Sequence, residues 1–151
     1  YYAKPLLCAV FIQNMKEKKV LDVCCGPKGM WFDKQDDRAL FLDRRFETHI
    51  DTYPCGTKTN IIAPDIIGDF TDIKQPDNSF WHVVFDPPHI EQMNDSQITK
   101  KYGALQGDWR EMIRKGFEEC FRVLKPKVCT KVNMFFHKFY HYLIDMSLVN
   151  V

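Results

Sequence analysis

Residues 20–29 read VLDVCCGPKG: a short apolar, β-branched run that meets a carboxylate at Asp22 and then breaks into Gly and Pro. A run of this length bounded by turn residues predicts a buried strand entering a loop. The pattern recurs. RALFLD (38–43) ends on Asp43, DIIGDF (65–70) carries Asp69, and FWHVVFDPPH (80–89) ends its apolar run at Asp86. Four short strand-like runs separated by helical or loop connections predict an α/β domain with a mostly parallel sheet. Ligands of such sheets bind at the carboxyl ends of the strands, so Asp22, Asp43, Asp69 and Asp86 are expected to share one rim.

On either side of these runs the periodicity changes. Leu6, Leu7, Val10, Phe11 and Met15 recur at three- and four-residue steps, predicting an amphipathic helix that starts near Pro5. Residues 44–61, rich in Thr, Pro, Gly and charge, are assigned no regular structure, and the polar stretch 91–107 is expected to be a loop with Gly103 and Gly107. DWREMIRKGFEECFRVL (108–124) predicts a helix capped by Asp108 that buries Met112, Ile113, Phe117, Cys120, Val123 and Leu124. Arg110, Arg114 and Lys115 fall on its solvated face. Trp31, Trp81 and Trp109 are expected to serve packing. Beyond Pro126, residues 128–136 alternate as a half-exposed strand would, and 139–146 predict a final helix.

The length of 151 residues suits a single domain, residues 1–151, and the 45% hydrophobic share is that of a globular chain. No apolar run approaches the ~18 residues that span a bilayer, so no membrane partner is expected. The six cysteines lack paired CxxC spacing, and Cys24 and Cys25 are adjacent, which suits neither a zinc knuckle nor a disulfide scaffold. With no export signal at the start, a cytoplasmic setting is the expectation. A net charge of +1 makes no field that would by itself attract nucleic acid, so such a partner has to be argued from a site. His137 and His141 have ligand-compatible spacing but no nearby acid or cysteine pair, and no metal is expected.

A glycine just after a strand lets backbone approach a ligand, and Gly26 and Gly29 meet that need. Asp43, 21 positions after Asp22, lies at the distance from a glycine-rich loop where a carboxylate accepts hydrogen bonds from ribose hydroxyls, which points to an adenosine-containing ligand. Strand ends in any α/β protein also carry Gly and Asp, and that plainer reading stays open. LDVCCGPKG, FLD, GDF and DPPH, in this order, resemble the motifs of class I S-adenosylmethionine-dependent methyltransferases, above all those that methylate exocyclic amino groups (adenine N6, cytosine N4) of DNA or RNA bases. KPLL, at Lys4–Leu7, is similar to the Lys-Pro motif that precedes their cofactor loop. The resemblance covers Lys4 to about Pro126 and implies a Rossmann-like fold with S-adenosyl-L-methionine as cofactor. It implies cofactor contacts from Lys4, Pro5, Asp22, Cys24, Cys25 and Gly26, ribose held by Asp43, and adenine beside Asp69 and Phe70. Phe70 reads equally well as a core residue. Cys24 and Lys28 stand where the family commonly has glycine.

The implied catalytic group is Asp86, Pro87, Pro88 and His89. An exocyclic amino nitrogen donates its lone pair into the base ring and is a poor nucleophile until acceptors at fixed positions engage its protons. The Asp86 carboxylate and the Pro87 carbonyl, aimed by the fixed proline φ, are such acceptors. Acceptors set in advance against developing positive charge are electrostatic preorganisation. His89 occupies the place where the family usually has Tyr, Phe or Trp; stacking on a flipped base, proton transfer and simple loop exposure are its three readings. Lys100, Lys101 and Tyr102 either meet a phosphate backbone or are solvated.

After RVLKP the family continues through a fifth strand, a helix and an antiparallel pair. Here the closing hairpin is missing or altered, and an exposed edge would favour a homo-oligomer or a partner subunit. Rival functions are a methyltransferase of a small molecule or protein amide, a nicotinamide-dependent oxidoreductase, and an inactive methyltransferase-like domain.

Overall fold

The computed structural model describes residues 18–90 and 96–126. The elements expected at 4–15, 128–136 and 139–146, and the residues Lys4, Pro5, His137 and His141, lie outside them, as does the C-terminal edge expected to support self-association. The described elements are β1 (Val20–Asp22), β2 (Ala39–Asp43), β3 (Glu47–Tyr53), β4 (Gly56–Ile62), β5 (Ile66–Ile67), β6 (His82–Val84), α1 (Gln97–Tyr102) and α2 (Trp109–Val123). Four strands form one sheet in the order β5-β2-β1-β6. Every neighbour pair in it is parallel: Val20 faces Ala39 on one side and His82 on the other, and Leu42 faces Ile66. The expected mostly parallel α/β sheet is therefore present.

Burial follows from this arrangement. Strands of a parallel sheet are covered on both faces and read as continuous apolar runs, and all five residues of β2 are buried. The main core joins Leu21, Val83 and Phe85 of the sheet to Ile113, Phe117 and Val123 of α2. Phe85 is its centre, with the Phe117 ring edge-on at 5.0 Å and the Phe70 ring tilted at 5.4 Å. Asp108 caps α2 as expected, accepting from the Arg110 and Glu111 amides at 3.1 and 3.3 Å. The expected stripe is buried except that Met112 is only half so. Arg114 and Lys115 pair with Glu111 on the solvated side, and Arg114 also with Glu118. Arg122 ties the loop before β6 to α2 through the Ile73 carbonyl at 2.6 Å and Asp77 at 2.5 Å. Among the described residues no helix is long and apolar enough to cross a membrane.

Three sequence expectations are corrected. Residues 44–61 are not irregular: β3 and β4 pair antiparallel from Glu47–Ile62 to Tyr53–Gly56 as a second, two-stranded sheet. Cross-strand contact among alternating Thr and Ile side chains stabilises it, and its Pro54-Cys55 turn lacks the Asn-Gly or Asp-Gly pair that announces a hairpin. The 91–107 stretch is not all loop, because α1 forms within it, capped by Ser96 and ended by Gly103 at φ 79°. Trp81 is not a packing residue of the interior; it is exposed, with the Lys125 ammonium 4.3 Å from its ring centre.

One core position was not expected. Gly116, in the middle of α2, is buried where a Cβ would lie 2.6 Å from Phe85 Cζ and 2.7 Å from Phe70 Cδ2. The absent side chain lets the helix approach the aromatic pair. Alanine would gain roughly 1 kcal/mol of helix propensity but force the rings apart, an overpacking cost of about 1–3 kcal/mol. G116A is expected to be less stable than the parent in urea denaturation; equal or greater stability would show that the rings yield freely.

Candidate functional site

The chain runs from β1 outward through β2 to β5 and then returns to place β6 on the other side of β1. The crevice at such a reversal is where open parallel sheets bind ligands. Here it lies between the loop after β1 and the Asp86-Pro87-Pro88-His89 segment after β6. Asp22 and Asp43 are the last residues of their strands, and Asp69 and Asp86 each follow two residues after theirs. All four acids therefore sit along the same carboxyl rim.

Their side chains do different things. Asp22 is fully buried and accepts a 2.6 Å hydrogen bond from Trp31 Nε1 and one at 3.3 Å from the Cys24 amide. Burial raises its pKa from an ordinary 3.8 to about 6, against the two hydrogen bonds and with help from the negative charges of Asp86 and Asp43. Asp43 is buried too. Its Oδ2 accepts from the Gly26 amide at 2.9 Å, and its Oδ1 from the Arg45 amide at 3.0 Å and Arg45 Nε at 3.2 Å. Gly26 makes this possible with φ +49°, a left-handed conformation that side chains resist. Asp69 folds back on its own turn, accepting from the Thr71 amide and hydroxyl at 2.8 and 2.7 Å. Asp86 is half-buried; burial raises its pKa, and positive charge on His89 lowers it.

The remaining expected site residues are placed as follows. Pro87 is buried, Pro88 half-buried and His89 exposed. Cys24 and Cys25 hold their thiols neutral, since burial and the nearby carboxylates of Asp22 and Asp43 push both pKa values up. A neutral thiol is a poor nucleophile, so thiolate chemistry has no support here. Phe70 belongs to the aromatic core and also borders the site cavity.

That cavity brings together Val23, Cys24, Asp43, Asp69, Phe70 and Pro88. It holds about 30 Å³, room for roughly two waters, where small-molecule clefts run ~300–1,000 Å³. Its cover is α1 and the turn after it. Arg45 Nη1 donates to the Lys100 carbonyl at 3.1 Å and Nη2 to the Lys101 carbonyl at 3.4 Å. Arg44 Nη2 donates to the Ala104 carbonyl at 3.0 Å, and the Leu105 amide to the Ile90 carbonyl at 2.8 Å. Gly103 lets the turn close at φ +79°, a left-handed conformation that side chains resist, and it packs beside Arg45 and Pro88. The acids, the apolar walls and Phe70 suit an adenosine-containing ligand, but one can enter only when α1 and Arg45 move. Among the described residues no cluster of His, Cys, Asp or Glu could hold a metal.

Arg44, Arg45 and Trp31 were not anticipated as site residues. The Arg-Arg pair directly after Asp43 was a visible signal, but its partners lie some 55–60 positions further along the chain, and only the fold brings them near.

Two outcomes follow. A native state that favours protonated Asp22 binds more protons than the unfolded chain between about pH 4 and 6, so stability falls as pH rises through that window. The full cost, on the order of 3 kcal/mol above pH 6, disappears on acidification. In urea titrations the parent should therefore gain stability relative to D22N from about pH 7 to about pH 4; parallel pH profiles would refute this. R45A should speed amide hydrogen exchange in α1 while leaving α2 unchanged, and unchanged exchange in α1 would show that Arg45 does not hold the cover. Compared with known protein families, curated proteins and solved structures, the chain finds no match in any of the three.

Proposed function

We propose that this chain is a Rossmann-like S-adenosylmethionine-dependent methyltransferase acting on an exocyclic amino group of a DNA or RNA base. The observation that carries the reading is the meeting of the glycine loop, the Asp43 carboxylate and the Asp-Pro-Pro segment at the reversal point of one parallel sheet. The residues that would hold the cofactor are the 22–26 loop, with Asp43 at the ribose and Asp69 and Phe70 at the adenine. When bound, the cofactor supplies an electrophilic methyl on a sulfonium.

The chain's own residues do the rest. Asp86 accepts a hydrogen bond donated by one N–H of the target amine, and its carboxylate must be ionised to do so. The Pro87 carbonyl is the second acceptor. Burial of Pro87 fixes its backbone, so the two acceptors keep their directions without reorganising. The α1 cover excludes water once closed, which strengthens both contacts.

Calorimetric titration with S-adenosylhomocysteine, with nicotinamide dinucleotide as control, tests the cofactor class. Micromolar binding of the first alone is expected, about −8 kcal/mol; preference for the nicotinamide ligand would refute the reading. With methyl transfer to single-stranded DNA and RNA as readout, D86A should lose roughly 10²–10³-fold in kcat while binding S-adenosylhomocysteine as the parent does. Transfer at the parental rate by a folded D86A would remove Asp86 from the chemistry.

One observation favours a second reading, a methyltransferase-like domain without turnover. Asp43, the acid that would hold the ribose, already makes an ion pair with Arg45 beneath a closed cover. Such a domain would bind S-adenosylhomocysteine weakly or not at all and transfer no methyl group to any acceptor.

A further inference from the structure

A second, larger cleft of about 570 Å³ opens beside the site, bordered by the glycine loop, the segment before β2, strand β4 and α1. Five lysines line it: Lys18, Lys28, Lys34, Lys58 and Lys101. Its two carboxylates are already engaged. Asp36 is held by the Arg38 guanidinium at 2.6 Å, and Asp65 accepts from the Phe41 amide at 3.1 Å and faces Lys18 at 3.8 Å. Lys18 is further bound to the Ala39 carbonyl at 2.6 Å. Four ammonium groups then remain without a carboxylate among the described residues. Lys28 rests over the Phe41 ring at 3.9 Å, Lys101 lies 4.6 Å from the Tyr102 ring centre, and Lys34 and Lys58, the latter opposite Asp51 across the hairpin, make no ion pair among the described residues. On a chain of net charge +1, this is a marked local concentration of positive charge.

We infer that this lysine-lined cleft seats the phosphate backbone of a single-stranded nucleic acid beside the Asp86–His89 segment. The four charges come from three parts of the chain, the 23–38 connection, β4 and α1, and are spread over the lining of a cleft of about 570 Å³. Such spacing tracks a backbone; it does not cradle one phosphate group. Lysines are suited to this, because they neutralise phosphates as mobile point charges without reading sequence. The cleft also adjoins the site. A Cβ on Gly26 would lie 3.8 Å from the Lys101 carbonyl, and Gly103, two residues after Lys101, abuts Pro88. A strand lying in the cleft reaches the Asp-Pro-Pro segment by passing around the end of α1. A single strand presents its amino groups without the unpairing and flipping that a duplex demands.

What the strand presents to the site rests on the methyltransferase reading; the seat for its backbone does not. The test uses dye-labelled oligothymidylate, whose base has no exocyclic amino group, so that binding reads the cleft independently of any methyl acceptor. Fluorescence anisotropy across a salt series is compared for the parent and K34Q/K58Q. Each lysine lost should make the slope of log affinity against log salt shallower by about 0.7. Between 50 and 200 mM salt the parent should thus lose about sevenfold more affinity than the double variant, while both titrate identically with S-adenosylhomocysteine. Equal affinity and slope in parent and variant would overturn the inference. Displacement of the oligonucleotide by inorganic triphosphate at equal phosphate concentration would also overturn it, assigning the cleft to a small anion. If oligothymidylate binds as expected and S-adenosylhomocysteine does not, the cleft stands and the methyltransferase reading falls.

Discussion

One carboxylate joins the parts of this molecule that matter for function. Asp43 is buried at the end of the most deeply covered strand, where an unpaired charge would cost several kcal/mol. It is met by a backbone amide from the loop after β1 and by a guanidinium that reaches on to α1. Loop, strand end and cover are thereby positioned against one another by the need to satisfy a single buried anion. The left-handed Gly26, at φ +49°, serves the same demand, its amide donating to Asp43 Oδ2 at 2.9 Å.

The two anionic groups at the centre of the sheet are handled differently. Asp43 has a cation and two amides. Asp22 has an indole N–H and one amide, and its carboxyl rises to about 6. Placing Trp31 there also gives the β1–β2 connection an anchor, since its ring packs edge-on against Phe41 at 4.9 Å. The connection, residues 23–38, is built from turns where parallel strands are usually joined by a helix. Hydrogen bonds from Cys25 to Leu42 and from Lys28 to Cys25 hold it in place of a helical ladder.

Much of the sheet was legible because its strands are short, apolar on both faces and closed by an acid. Helix α2 was legible because its 3.6-residue stripe and Asp108 agree. The hairpin β3–β4 escaped because its exposed face is Thr and Ile while its more buried face carries Glu47, His49, Asp51 and Asn60, the reverse of the usual alternation, and its turn is Pro-Cys. Within the site, the positions of Asp22, Asp43, Asp69 and Asp86 followed from strand periodicity alone. The partners of those acids did not. Whether Asp43 faces open space or Arg45, and whether α1 lies over the cavity, depends on contacts between residues far apart in sequence. Gly116 was hidden for the same reason: a helix-interior glycine means little until Phe85 and Phe70 are seen against it.

The strand order has a consequence for how the chain folds as it is made. Strand β1 lies at the middle of the sheet, but its two neighbours arrive at very different times. Ala39 of β2 follows Val20 closely, whereas His82 of β6 emerges only after the hairpin and β5 have been synthesised. Until then one edge of β1 has no partner, and Leu21 and Val23 have no Phe85 or α2 to bury against. Long-range parallel pairing of this kind is slow, because loop closure precedes its reward. An N-terminal half-chain on the ribosome therefore carries an open apolar edge, the kind of surface that chaperones bind and that aggregation exploits.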